Sequence, residues 1–195
     1  MDFTLLKWSK MTKIYLIHGW GGTPNSEGWF GWIRIECKKR KIVLEIPEMP
    51  NTNYPKIGEW VKKLNQIIKP DKNTYLIGHS IGCQAIIRYL ERLQGNTKFK
   101  GLIFIAGWFN LLKTAYESEK EKDIAKPWLT EPIDLDKVKR HSEKILAIFS
   151  DNDPCVPLED SKIFKEKLNA EIIIKHNQGH FNETKELNEI FDVVR

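Results

Sequence analysis

Ser80 stands in Gly78-His79-Ser80-Ile81-Gly82, a G-x-S-x-G motif that follows the apolar run 74–78 and leads into a segment of helical spacing. In that strand–turn–helix context the serine sits at a sharp elbow. Small residues two positions to either side let the backbone fold tightly enough to hold Oγ out. The helix that follows also aims its N-terminal amides and the positive end of its dipole at the place where an acyl-transfer intermediate carries negative charge. The competing reading is a glycine-flanked turn whose serine only caps the helix.

A serine hydroxyl is a weak nucleophile until a base takes its proton, and the base needs a carboxylate to set its tautomer. Both residue types occur downstream, at the ends of apolar runs. Run 144–150 exits into Asp151-Asn152-Asp153-Pro154-Cys155-Val156-Pro157, and run 171–175 into His176-Asn177-Gln178-Gly179-His180-Phe181. Asp153 stands in D-x-x-V-P, ahead of a helix that Pro157 can initiate, and is the expected acid, with Asp151 in reserve. His180 follows a glycine at the loop tip and is the expected base, ahead of His176; His141, beside Arg140 on a polar helix, reads as solvated. The chain order Ser80, Asp153, His180 is that of α/β-hydrolases.

Acyl transfer also needs two donors aimed at the developing oxyanion. The expected pair is the backbone N–H of Ile81, next to the nucleophile, and that of Trp20 in His18-Gly19-Trp20-Gly21-Gly22, where three glycines admit close backbone approach. A plain βα turn or a phosphate cradle would be the alternatives for this loop, but neither G-x-x-x-x-G-K-[ST] nor G-x-G-x-x-G is present. His18, Gly19 and His79 flank these motifs, while Trp108, Phe109 and Phe181 stand at other strand exits. All six are candidates for the walls of an acyl or aryl pocket, against the alternative that the aromatics fill a core.

The elements that must position these groups follow a βαβ rhythm from residue 13 onward. Short, nearly continuous apolar runs at 13–18, 41–46, 74–78, 101–106, 144–150 and 171–175 read as strands buried on both faces. Helical spacing marks 27–40, 56–69, 81–93, 134–141, 158–168 and 182–194. Right-handed crossovers then give an α/β fold: an open, mostly parallel six-stranded sheet with helices on both faces and a ligand crevice at the C-terminal strand ends. Residues 1–12 are expected to be an N-terminal extension and 13–195 a single domain. No large lid domain is expected, although the segment 108–135 is long enough to cover part of the crevice.

Composition sets outer bounds. The 195 residues carry 31 Lys+Arg against 26 Asp+Glu, a net +5, but 25 of the cations are Lys interleaved with Glu, as in Glu117-Ser118-Glu119-Lys120-Glu121-Lys122. Mixed signs make a solvated face, so nucleic acid is not expected as a partner, and no apolar run is long enough to cross a bilayer. Cys37, Cys83 and Cys155 form no C-x-x-C pair and are odd in number, which fits a reducing compartment; with no secretory leader in view, the cytoplasm is expected. No metal-ligand spacing stands out, and neither a metal nor a cofactor is called for.

The four motifs around Gly19, Ser80, Asp153 and His180, in this order and spacing, resemble the small serine hydrolases of the retinoblastoma-binding protein 9 family, a compact branch of the α/β-hydrolases. The resemblance runs from Lys13 onward. It implies a reduced six-stranded fold, a Ser80–Asp153–His180 triad, oxyanion donors at Trp20 and Ile81, and hydrolysis of esters, thioesters or amides. Apart from the resemblance, a small-molecule acyl substrate and a monomer or weak homodimer are expected. The partner-binding L-x-C-x-E associated with the family's name is absent, since Cys37 stands in Ile35-Glu36-Cys37-Lys38-Lys39. A different class of function, an interaction module that keeps the fold while catalysis is vestigial, would leave the same motifs in place.

Overall fold

The runs at 13–17, 74–79, 101–105 and 145–150 are buried, whereas 43–45 and 171–175, expected to be buried on both faces, lie at the sheet edges and are only partly covered, with Ile174 47% exposed; alternation along each run decides which helices its side chains meet. The computed structural model of the chain describes residues 11–95 and 97–195. Its strands are β1 (Lys13–Ile17), β2 (Val43–Glu45), β3 (Thr74–His79), β4 (Gly101–Ile105), β5 (Ile145–Ser150) and β6 (Glu171–Lys175). They form one sheet in the order β2-β1-β3-β4-β5-β6, every pair parallel. The helices are α1 (Phe30–Lys39), α2 (Ile57–Ile67), α3 (Ile81–Arg92), α4 (Glu119–Thr130), α5 (Leu135–Lys139), α6 (Asp160–Leu168) and α7 (Ile190–Val193). None of the helices of the described residues is long and apolar enough to cross a membrane.

Tyr15, Ile17, Leu76, Leu102, Phe104, Ala147 and Phe149 point to one face, where α2 to α6 supply Trp60, Ile86, Trp128, Val138 and Phe164. The intervening Ile14, Leu16, Ile77, Ile103, Ile105 and Ile148 point to the other, covered by Phe30 and Ile33 of α1 and by Ile190 and Val193 of α7. With period 2 in the strands, the two cores are built from adjacent residues of the same run. Strand order reverses at β1, which lies between β2 and β3, so the exits of β1 and β3 flank the crevice expected at such a switch point.

Three local outcomes differ from the sequence reading. The expected helix at 182–194 is reduced to α7, because 182–184 is engaged as a loop: Gly28 N–H donates to Asn182 O, and the Thr184 hydroxyl donates to Gln178 Oε1. Conversely, the segment 108–135 contains α4, capped by the Ser118 side chain on Glu121 N–H. His141 is buried rather than solvated, with its Nδ1 2.8 Å from Thr97 O. Of the expected N-terminal extension, residues 1–10 lie outside the described residues.

Candidate active site

The elbow is built by close backbone packing. Ser80 follows the last residue of β3 and has φ 52° and ψ −122°, a conformation that L-residues avoid, and its N–H donates to Ile105 O at 2.9 Å. Two glycines let α3 sit directly against the sheet. A Cβ on Gly82 would lie 2.2 Å from Ile17 O, and one on Gly78 would lie 2.7 Å from Cys83 Cα. Ser80 makes no capping bond to its own helix. Its hydroxyl is left for another partner.

That partner is His180. Its Nε2 lies 2.8 Å from Ser80 Oγ, and its Nδ1 lies 2.8 and 3.0 Å from the two carboxylate oxygens of Asp153. Asp153 Oδ1 also accepts from the N–H groups of Cys155 and Val156, which fixes the carboxylate at the β5 exit. All three side chains are largely buried, Ser80 being only 8% exposed. Low dielectric strengthens such bonds. Asp151 and His176, the reserve pair, meet each other at 2.5 Å in a separate, more exposed contact, where the Asn177 N–H and then His176 hold the Asp151 carboxyl below its usual range.

The serine opens on a cavity of about 220 Å³. Gly19, Trp20, His79, Ile81 and Trp108 line it together with Ser80 and His180. Segment 108–135 supplies a further wall through Leu111, Ala115, Glu117 and Glu121. Trp108 is set by Gln84 of α3, whose amide donates to the Trp108 carbonyl, and by Asp160 of α6, whose carboxylate accepts the Asn110 N–H, two residues further on, at 2.8 Å. Other candidates for the walls sit elsewhere: Phe109 packs on Phe164 with ring centroids 5.0 Å apart, and Phe181 is buried in the core on the α1 face. His18 is fully buried behind the loop, its Nδ1 donating to Gly19 O and its Nε2 accepting from Met49 N–H. Burial lowers its pKa, in keeping with this neutral tautomer.

For the expected oxyanion donors the hydrogen bonds are informative. Gly19 N–H is taken by Glu27, whereas Trp20 N–H donates to no group among the described residues, and Ile81 N–H opens α3 with no carbonyl a turn earlier in the helix. The one group of metal-ligating side chains close together among the described residues is Asp153, Cys155 and His180, with ligand atoms within 4.8 Å of one another. Two of its members are already bonded to each other. Burial, with the Asp153 charge adding to it, pushes the Cys155 thiol up to about 11, so it is a neutral wall of the cavity near pH 7.

Sequence reasoning missed Glu27. The helical pattern at 27–40 places it in a first turn, but α1 begins only at Phe30, and Glu27 turns inward to meet His79 at 3.0 Å. Burial alone would raise its carboxyl, but bonds from His79, Ser26 and Gly19 outweigh that and hold it below the ordinary range. No spacing in the chain pairs residue 27 with residue 79.

An open parallel sheet with a serine on a strained elbow at the switch point, facing a histidine–carboxylate pair, defines the α/β-hydrolase class. The serine hydrolase family model matches residues 14–193, and the chain belongs to that family. It is 29% identical to YdeN of Bacillus subtilis over 175 residues, 89% of this chain and 88% of that protein. The YdeN crystal structure aligns with a TM-score of 0.84 at 26% identity, over 94% of this chain and 97% of that one. Serine hydrolase RBBP9 of Rattus norvegicus is 27% identical over 194 residues, with 94% of each chain covered. A Paleococcus ferrophilus monoacylglycerol lipase shares the fold, with a TM-score of 0.67 at 16% identity over 92% of this chain and 90% of that one. The resemblance read from the four motifs therefore holds, and the chain is a serine hydrolase of compact α/β fold.

Proposed function

We propose that Ser80, His180 and Asp153 form a catalytic triad that cleaves small esters, thioesters or amides through an acyl-enzyme. The observation that carries this reading is the continuous chain of hydrogen bonds from Ser80 Oγ through both His180 nitrogens to the Asp153 carboxylate. Ser80 Oγ attacks the acyl carbonyl while its proton passes to His180 Nε2, and Asp153 holds the Nδ1–H of the imidazolium. The oxyanion takes hydrogen bonds from the N–H groups of Ile81 and Trp20. When the intermediate collapses, the bond to the leaving group breaks and the Nε2 proton moves onto that group. His180 then takes a proton from water, the hydroxide attacks the acyl-serine, and Ser80 leaves with the proton returned.

A cavity of about 220 Å³, walled by Trp20, Ile81, Trp108 and Leu111, favours short acyl or aryl groups over long chains. A fluorophosphonate probe should label the protein at Ser80, and Ser80→Ala should abolish labelling and lower ester hydrolysis by about 10⁴-fold or more. Labelling that survives Ser80→Ala removes Ser80 from the role.

A further inference from the structure

We propose that Glu27 and His79 act as a buried positioning unit that holds the Gly19 loop and the His180 backbone in register with the nucleophile elbow. This rests on the triad reading above. Glu27 is 6% and His79 1% exposed. Glu27 Oε1 accepts from Gly19 N–H at 3.2 Å and from His79 Nδ1–H at 3.0 Å, and His79 Nε2–H donates to His180 O at 2.8 Å. Glu27 Oε2 takes the Ser26 hydroxyl, so the whole carboxylate is engaged.

This chain of bonds links the exits of β1, β3 and β6, the three loops that carry the Trp20 donor, the nucleophile and the base. Both His79 nitrogens face oxygen atoms, the Glu27 carboxylate on one side and the His180 carbonyl on the other, so the ring is fixed at both ends and out of water. No atom of the pair bonds to Ser80 Oγ or to the His180 ring. Its action is on placement: the His180 carbonyl is held by His79, and the ring it carries must reach both Ser80 Oγ and Asp153 within 2.8 Å. Shifts of about an ångström at such a base cost up to about 10²-fold in rate.

The test uses p-nitrophenyl acetate hydrolysis, with active sites counted by fluorophosphonate titration so that misfolded protein does not enter. Glu27→Ala should lower kcat per titrated site about 10- to 100-fold and leave KM within about twofold, the range typical of supporting-shell losses. Glu27→Gln, whose amide oxygen can still accept from these donors, should recover most of that loss. A folded Glu27→Ala with kcat within about twofold of the parent overturns the proposal. Should Glu27→Ala not fold, Glu27→Asp, one carbon shorter, takes its place with the same two outcomes. Proton NMR of the His180 Nδ1–H gives a readout independent of turnover: exchange broadening in the variant supports the proposal, and an unchanged resonance overturns it. Ester hydrolysis that survives Ser80→Ala would sink the triad reading alone, and the NMR outcome would still decide the positioning role.

Discussion

Ser80 holds a conformation that its own residue type resists, and two substitutions at this position measure the energy stored there. A non-glycine residue in a sparsely populated region such as φ 52°, ψ −122° carries about 1–3 kcal/mol of strain. Ser80→Ala keeps that strain; Ser80→Gly releases it, less about 0.5–1 kcal/mol for the greater freedom of glycine in the unfolded chain. Both variants lose the bond to His180 equally, and neither loses a capping bond, since Ser80 makes none. The difference left over is about 0–2.5 kcal/mol in favour of glycine. At about 2.1 cal/mol/K per residue, unfolding of 195 residues carries an entropy of about 0.4 kcal/mol/K, so Ser80→Gly should melt up to about 6 °C above Ser80→Ala in calorimetry. A Ser80→Gly that melts below Ser80→Ala would refute strain at the elbow.

Two further outcomes follow from groups outside the proposed triad. With its thiol pushed up to about 11, Cys155 is ionised to about one part in a thousand at pH 8, so iodoacetamide should modify it about two orders of magnitude more slowly than free cysteine; a rate within tenfold of the free thiol would contradict the environment described. Fully buried Arg88 of α3 clamps the C-terminal end of α4 by donating to Trp128 O and Glu131 O at 2.8 and 3.0 Å. Arg88→Met should cost about 1–3 kcal/mol and speed exchange of the Glu131 amide, which donates to Pro127 O; unchanged protection there would show that α4 is held by other contacts.

The strands were the most legible part of the fold, because parallel strands buried on both faces write themselves as apolar runs. β6 (Glu171–Lys175) matches its expected bounds, and β3 (Thr74–His79) and β4 (Gly101–Ile105) match within a residue. Helical spacing was less decisive. At 182–194 it exceeds the helix that forms, because contacts of 182–184 with the Gly28 and Gln178 loops take backbone and side-chain groups that a helix would keep for itself. Aromatic content was ambiguous in a different way: Trp108 lines the cavity while Phe109, its neighbour, faces Phe164, since successive residues leave the chain in different directions.

The sequence by itself determined the order of the strands along the chain, the elbow and the candidate chemistry, because these depend on local rules: a backbone turn that requires Gly78 and Gly82, and residue types that can donate, accept or attack. Only the tertiary structure decided which of two neighbouring acids meets His180. Asp153 is turned inward by the N–H groups of Cys155 and Val156, and Asp151 is drawn to His176. Only the tertiary structure brought Glu27 to His79, across 52 positions of the chain. Contacts between loops at the ends of different strands depend on where the sheet places them, and a short motif cannot carry that information.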